Sequence, residues 1–387
     1  MESFSADAGR LLIFLIFVLY CSVSALQLAL YMFFIRAGWQ KILRKESETT
    51  PTPLVYPALS LLMCARNEAA NLKKHLPSLL SQVYPGRFDL LVVNDASTDD
   101  SRTILQSFEN QFTSFRAIHL ATKTQAGKKA ALSAGIQAAQ HEWLVLTDAD
   151  CAPASPHWLT SMARHMQQPD IDIVLGFGPL LPEPGFLNQW ARFETNHTAF
   201  LYGGMAGMGM PYMGVGRNLA FKKTLFEAQE GYQKHAHFAS GDDDLLINAA
   251  ANSKNTAICT DAQATMYSAA ATNWPAWYRQ KRRHLSVSHV YKPVHQLLLT
   301  LFAGTLVFHY FLLLLTLLGV QYAFPALGIY VLRQGALQIC YKPVFKRLKS
   351  GDLLLKTPLF DMMLALYFGL LVPYNLIFQR KKIVWKP

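Results

Sequence analysis

Charge is scarce in this chain. Asp, Glu, Lys and Arg make up 16% of its 387 residues, against roughly a quarter in ordinary soluble domains. The shortfall is local: Leu11–Ile35 runs for 25 residues and Pro293–Leu332 for 40 without any of the four charged types. Each stretch meets or exceeds the roughly 20 residues a helix needs to cross a bilayer. A wholly soluble protein is excluded, and with 51% hydrophobic residues so is a disordered one. Paired-cysteine signals are also lacking. Cys21, Cys64, Cys151, Cys259 and Cys340 form no C-x-x-C and no zinc spacing with histidine, so reduced, structural thiols in a cytoplasmic domain are expected.

No nucleic-acid motif accompanies the net charge of +11, and nucleic-acid binding is not expected. The basic residues instead flank the apolar runs. Arg36, Lys41, Arg44 and Lys45 follow the first; Lys342, Lys346, Arg347, Lys349 and Lys356 follow the later ones; Arg380, Lys381, Lys382 and Lys386 lie near the end. Such placement marks cytoplasmic sides facing anionic lipid. Leu11–Ile35 is too long for a signal-peptide core and its charge lies after it, so an uncleaved anchor with its N-terminus outside is expected.

From Pro57 the texture changes. Apolar runs at Ala58–Cys64, Phe88–Val93, Phe115–Leu120 and Glu142–Leu146 read as strands. Helical spacing occupies Glu68–Val83, Asp99–Phe108 and Gly127–Gln140 between them. This order predicts an α/β fold, a doubly wound, mostly parallel sheet, in addition to transmembrane α-helices. Ligands of such sheets bind beyond the carboxyl ends of the strands. Those ends carry Ala65-Arg66-Asn67-Glu68, Asn94-Asp95-Ala96-Ser97-Thr98-Asp99 and Thr147-Asp148-Ala149-Asp150.

Asp or Ser after a strand commonly caps the next helix, and Asp99 suits that role. Asp148 and Asp150, one residue apart after a buried strand, need a compensating cation. Their hard oxygen ligands suit Mg²⁺ or Mn²⁺ bound jointly with substrate phosphates. Gly127-Lys128-Lys129 opens a helix and could neighbour a diphosphate or be a solvated turn. Asp242-Asp243-Asp244 could favour a helix dipole; equally, mutual repulsion raises the pKa of one member, as a general base requires. Phe186, Trp190, Phe193 and His197 share a helical face that either rests on a bilayer or packs in a core. Leu201–Gly216, rich in Gly and Met, is not expected to be helical throughout. It could serve as an adaptable loop for a lipid-linked acceptor.

Taken in order, "ARNE", "VVNDASTD", "GKKAAL", "TDAD", "GRNLAFK", "GDDD" and "QKRRH" resemble the family 2 glycosyltransferases over roughly Ala58–Lys292. These are inverting enzymes with an A-type nucleotide-sugar-binding fold. The resemblance implies that Ala65, Asn67, Glu68, Asp95, Lys128 and Asp148 bind the nucleotide, with Asp95 at the base edge and Glu68 at the ribose. It implies Asp150, with Asp148, as metal ligand for Mg²⁺ or Mn²⁺, and Gln280, Arg282, Arg283, His284 and Asn218 at the diphosphate or acceptor. By register with the family's "G-D-D" form, Asp243 is expected to be the base, with Asp242 or Asp244 as alternatives.

Two departures stand out. "D-D-G-S" is here Asn94-Asp95-Ala96-Ser97, and the Trp of "Q-x-x-R-W" is His284. The second argues against a processive polysaccharide synthase, where that Trp stacks on the growing chain. The implied activity is transfer of a hexosyl or N-acetylhexosaminyl group from a nucleotide-sugar, preferably of uridine, to a lipid-linked or saccharide acceptor. An inactive scaffold would have no reason to keep these carboxylates, and the apolar segments show no transporter-like repeat.

The expected organisation runs as follows: an external N-terminus (1–10), a membrane helix (11–35), a linker (36–56), the catalytic domain (57–270) and a juxtamembrane segment (271–295). Two membrane helices (296–340) follow, then a basic cytoplasmic loop (341–358), a membrane-crossing or re-entrant segment (359–379) and a basic tail (380–387). The two helices are placed at Gln296–Leu318 and Ala326–Cys340, with a turn at Gly319–Pro325 and Arg333 turned away from lipid. A multi-pass inner (plasma) membrane protein is expected, in contact with membrane lipids and with its catalytic domain cytoplasmic. A full crossing by Leu359–Phe378 would place Arg380–Lys382 outside, against the positive-inside rule. That segment is therefore expected to be re-entrant or interfacial.

Overall fold

Strand residues that alternate between two apolar faces need cover on both, and that requirement organises the α/β part of the chain. The structure is a computed structural model that describes residues 2–47, 55–123 and 127–374. Two helices open it, α1 (Glu2–Phe33) and α2 (Gln40–Ser47), with a π-helical turn at Phe34–Trp39 between them. The expected rhythm follows: β1 (Leu59–Ala65), α3 (Ala69–Leu80), β2 (Phe88–Asp95), α4 (Ser101–Glu109), β3 (Phe115–Leu120), α5 (Lys129–Ala138) and β4 (Trp143–Asp148). Then come β5 (Cys151–Pro153), α6 (Trp158–Ala163), β6 (Ile173–Leu175), α7 (Phe186–Gly207), β7 (Leu219–Lys222) and α8 (Lys223–Ala228). After these lie α9 (Asp244–Ala250), β8 (Thr256–Ile258), β9 (Met266–Ser268) and α10 (Trp274–Leu285). The last described helices are α11 (Pro293–Leu317), α12 (Val320–Arg347) and α13 (Thr357–Leu366).

The chain divides into two compact units, one within Met1–Ala37 and Pro293–Arg380, the other built on Gly38–Lys292. In the second, a seven-stranded sheet has the order β3-β2-β1-β4-β7-β6-β8. β1, β2, β3 and β4 are parallel, whereas β7 runs antiparallel to β4 and to β6. Leu59, Leu61, Met63, Leu90, Val92 and Val145 pack on one face, against Leu72 and Leu76 of α3 and Trp158 of α6. Leu62, Leu91, Val93, Leu144 and Leu146 face the other way, against Leu132 and Ile136 of α5 and Ile247 of α9. Each such buried side chain contributes about 1.5–3 kcal/mol. The doubly wound reading holds.

α7 departs from expectation. Helix continues through Leu201–Gly207 because its glycines admit a close neighbour: a Cβ on Gly203 would meet the Trp39 ring at 2.5 Å, and one on Gly207 the Gly38 carbonyl oxygen at 2.5 Å. Trp39 Nε1 donates to the Phe200 carbonyl at 2.9 Å. Trp190, Phe193 and His197 are buried, so that face is protein core rather than a bilayer contact. Only Phe186 is open, at 48%.

In the helical unit the turn before α12 is tighter than expected, since helix resumes at Val320. The stretch expected as a basic loop continues as helix to Arg347, its last-turn Lys346 and Arg347 complementing the helix dipole. Among the described residues three helical stretches are long and apolar enough to cross a membrane: Gly9–Arg44, Pro293–Leu317 and Gly351–Tyr374. α12, expected to be one, is not among them. Gln321, Gln334, Gln338 and Arg333 dilute its apolar run. The tail that was to decide the fate of the last segment, Arg380–Pro387, lies outside the described residues.

Arg333 is turned into protein, as expected, at 2% exposure. Its Nη1 meets Asp361 Oδ2 at 2.6 Å and its Nε meets Gln27 Oε1 at 2.8 Å, while Tyr310 donates to Asp361 at 2.8 Å. Four helices thus share one buried ion pair. Removing one partner strands a charge, which costs about 3–5 kcal/mol, whereas replacing both with apolar groups is far milder. Thermal unfolding in detergent should show Asp361→Leu strongly destabilised, and Arg333→Met combined with Asp361→Leu largely restored. An additive double variant would show that the pair is not the stabilising contact.

Candidate active site

Parallel register brings the strand ends together. Ala65 pairs with Asn94, Cys64 with Asp148, and Asp95 with Leu120, so the loops after β1, β2 and β4 emerge at one edge. Asn67, at φ 55, and Ala96, at φ 54, turn the first two loops through left-handed backbone. Such a conformation is costly for a residue with a Cβ. Asn67 Oδ1 repays part of that cost by accepting from the Thr98 backbone N–H at 2.8 Å, which ties the loops to each other.

Asp95 is buried and paired with Lys123, whose Nζ also donates to the Gly127 carbonyl at 2.8 Å. Asn94, the amide in place of a carboxylate, faces His119 Nδ1 at 3.1 Å through its Nδ2 and accepts from Ser97 N. Glu68 accepts from Asn71 Nδ2 at 2.6 Å. Burial, with the neighbouring charges of Asp150 and Asp148, pushes its carboxyl up.

Lys128 joins distant parts of the chain. Its Nζ lies 2.8 Å from Asp148 Oδ1 and 3.1 Å from Asp242 Oδ2. Burial alone would favour the neutral amine, but Asp148, Asp242 and Asp243 outweigh it and hold the ammonium well above the ordinary lysine range. Burial opposes ionisation of Asp148 too, and Lys128 reverses that, so Asp148 ends below the usual carboxylate range. Asp150 behaves oppositely. It opens to solvent, yet desolvation by the surrounding protein and the charge of Asp148 push it up.

Among the described residues the only cluster with metal-ligand spacing is Asp148, Asp150 and Cys151, with donor atoms within 4.8 Å of one another. Cys151 is not a credible ligand. Its thiol is buried, directed at Asp150 Oδ1 at 3.4 Å, and pushed well up by burial and both carboxylates. Two carboxylates remain, an oxygen set that fits Mg²⁺ or Mn²⁺ completed by phosphate oxygens.

The acidic triplet separates by role. Asp243 caps α9: its Oδ1 accepts from Asp244 N at 2.9 Å and its Oδ2 from Gly216 N at 2.6 Å. Asp244 accepts from Tyr291 Oη at 2.5 Å and from Leu245 N at 2.9 Å, and burial together with Asp243 pushes it up to about 7. Among the described residues Asp242 is tied to no backbone N–H, and its ion pair is with Lys128. Each Asp243 oxygen thus accepts a backbone N–H, and Asp242, expected as an alternative base, is the member of the triplet without such a tie among the described residues. The expectation for Asn218 is corrected. That residue is wholly buried, accepts from Trp158 Nε1 at 3.0 Å, and donates to the carbonyls of Phe177 at 2.8 Å and Ala264 at 2.7 Å. It positions strands and offers nothing to an acceptor.

α10 begins on an Asn273 cap, whose Oδ1 accepts from Ala276 N at 2.9 Å. Gln280 and Asp150 line one cavity of about 550 Å³. Arg283 lies close enough to act on the Asp148 carboxylate and contacts His284 Nε2 at 3.4 Å. Arg282 has no ion pair or hydrogen bond among the described residues. Sequence reasoning missed Lys281, paired with Glu194 of α7, and the work of Lys129.

Lys129 is 2% exposed and donates to the carbonyls of His235 at 2.6 Å and Phe238 at 3.0 Å. It thereby fixes the loop that leads into Asp242. Lys129→Met leaves those carbonyls unpaired at a cost of about 1–3 kcal/mol. Steady-state kinetics should show turnover lowered about 10- to 100-fold with nucleotide affinity unchanged. A rise in donor KM instead would place Lys129 at the nucleotide.

Residues 60–228 match the family model described as Glycosyl transferase family 2. Glycosyltransferase AglE of Haloferax volcanii is 30% identical over 31% of this chain and 39% of its own length. The beta-monoglucosyldiacylglycerol synthase of Synechocystis sp. is 30% identical over 40% of this chain and 30% of its own. The matches thus span well under half the length of these relatives. Among solved structures, the mannosyltransferase PcManGT from Pyrobaculum calidifontis, in complex with GDP-Man and Mn²⁺, superposes with a TM-score of 0.56 at 15% identity. That superposition covers 92% of this chain and 99% of that one, and it establishes the shared A-type fold.

Proposed function

We propose that this chain, which carries a family 2 glycosyltransferase domain, transfers a sugar with inversion from a nucleoside-diphospho-sugar to a lipid-linked or saccharide acceptor. One observation carries the reading: Lys128 lies within hydrogen-bond reach of both Asp148 and Asp242, so a donor-binding carboxylate and the carboxylate proposed as base converge on one point. The fold neighbour's GDP-Man and Mn²⁺ and the lipid product named for the Synechocystis relative support the donor and acceptor classes.

In this mechanism Asp95 and Glu68 hold the base and ribose, and Asp148 the donor sugar. Asp242 takes the proton from the acceptor hydroxyl as that oxygen bonds to the anomeric carbon. The bond from that carbon to the diphosphate oxygen breaks, and the electron pair leaves with the nucleoside diphosphate. Lys128 and Arg283 neutralise the departing charge by charge-assisted hydrogen bonds. Mg²⁺ or Mn²⁺ held by Asp150 and Asp148 would supply Lewis-acid stabilisation of the same oxygens.

The apolar helices and their basic flanks support a multi-pass inner-membrane protein with its catalytic domain on the cytoplasmic side. The test is to incubate membranes holding the protein with labelled nucleotide-sugars and extract the lipids. Label in the lipid or saccharide fraction, lost on Asp148→Ala, is expected. No transfer from any donor of the panel would overturn the reading.

A further inference from the structure

The stretch between α10 and α11 has no part in the mechanism above, yet it is held firmly. Val287 is fully buried and Tyr291 nearly so. Three contacts fix the stretch to the elements on either side of Asp242. The His289 ring meets the Phe238 ring edge-on, with centroids 5.6 Å apart. Tyr291 Oη donates to Asp244 Oδ2 at 2.5 Å, and Lys292 N donates to Asn248 Oδ1 at 2.8 Å. Phe238 belongs to the loop that leads into Asp242, while Asp244 and Asn248 stand one turn apart on one face of α9.

Packing alone does not call for a carboxylate at this clasp. Leu246 and Ile247 already bury α9 in the core. Asn248 Nδ2 donates to the Tyr212 carbonyl at 2.9 Å, and the Tyr212 ring lies edge-on to Tyr291 at 5.8 Å. A neutral amide at 244 would accept from Tyr291 as well. An acid buried there beside Asp242 and Asp243 is costly. It adds one property that an amide lacks: its ionised form takes a stronger, charge-assisted bond from the Tyr291 hydroxyl. Burial, then Asp243 and Asp242, push Asp244 up to about 7 against the opposing pull of Tyr291 and of Leu245 N–H. Lys129 and Tyr212 are the other titratable groups within electrostatic reach of it.

We infer that Tyr291 is a positioning residue for sugar transfer: by holding Asp244 it fixes the first turn of α9, and with it the direction in which the adjoining Asp242 presents its carboxylate. The inference rests on the proposed function in taking Asp242 as the base. The clasp is tight while Asp244 is ionised and slackens when it gains a proton, so turnover falls as the medium becomes acid. The Tyr291 hydroxyl favours the ionised form, and its loss moves that fall to higher pH.

The experiment follows transfer by the full chain in membranes, with labelled UDP-glucose, UDP-N-acetylglucosamine and GDP-mannose, across a range of pH. Tyr291→Phe keeps the ring against Tyr212 and removes only the hydroxyl. It should lower kcat about tenfold at neutral pH with donor KM within about twofold, and regain rate toward alkaline pH. Asp244→Asn should lose as much and regain nothing, since an amide takes no charge. If the wild type transfers sugar and both variants share its kcat and pH profile, the inference is overturned and the glycosyltransferase reading stands. A rise in donor KM alone, or an equal loss at every pH in Tyr291→Phe, overturns it too. A wild type inactive with every donor sinks the glycosyltransferase reading, and amide hydrogen exchange across 242–248 then decides the clasp separately: faster exchange in Tyr291→Phe supports it, and equal exchange overturns it.

Discussion

Asp242→Asn is expected to lower sugar transfer by about 10²- to 10⁴-fold, the usual loss when a general base is removed, with nucleotide binding intact. The substitution preserves shape and size and removes only basicity. Asp242 is singled out because its neighbours are already spoken for: Asp243 caps α9 and holds Gly216 N, and Asp244 is bound by Tyr291. Asp243→Asn should chiefly cost stability, about 1 kcal/mol for a weakened cap. Rates measured at saturating donor decide the matter. An active Asp242→Asn beside a dead Asp243→Asn would restore Asp243 as the base.

Asp150→Ala is the second large effect. Asp150 is the more open of the two carboxylates in the metal-spaced cluster, and Cys151 cannot replace it while protonated. Lewis-acid stabilisation of a leaving diphosphate is worth several kcal/mol, so loss of its ligand should cost about 10³-fold or more in cation-dependent turnover. Titrating Mn²⁺ should also require far higher concentrations for half-maximal nucleotide binding. Full transfer by the wild type in EDTA would remove the metal from the mechanism altogether.

Much of this was legible in the sequence, for reasons that can be named. Strands β1, β2 and β4 announce themselves because each residue must suit one of two apolar faces, and Glu68, Asp95, Asp148 and Asp150 because they end those strands or lie within three residues beyond them. Local pattern could not assign the acidic triplet. Asp243 is tied to a backbone N–H at Gly216, a contact no spacing rule reveals, and that tie favours Asp242 as the base. Asn218 looked like a ligand and is a brace, since the carbonyls it satisfies lie on Phe177 and Ala264. Lys129 looked like a partner for phosphate and instead supports a loop. In each case chemistry was visible and the partner was not.

α7 misled in the opposite direction, because glycine lowers helix propensity wherever it occurs and tertiary contact here overrides that tendency. The contact has a practical consequence for anyone seeking a water-soluble fragment. Composition suggests a cut at Pro57, where the alternating strand and helix signals begin. Yet Gly38, Trp39 and Ile42 belong to the catalytic unit and fill the surface left by Gly203, Gly204 and Gly207. A fragment that starts at Pro57 would carry an uncovered glycine groove along α7, with the Phe200 carbonyl without its Trp39 donor and Phe177 stacked on Tyr202 alone. Exposed apolar grooves of that kind invite self-association. Fragments that retain Gly38–Ile42 should stay monodisperse where those trimmed to Pro57 precipitate.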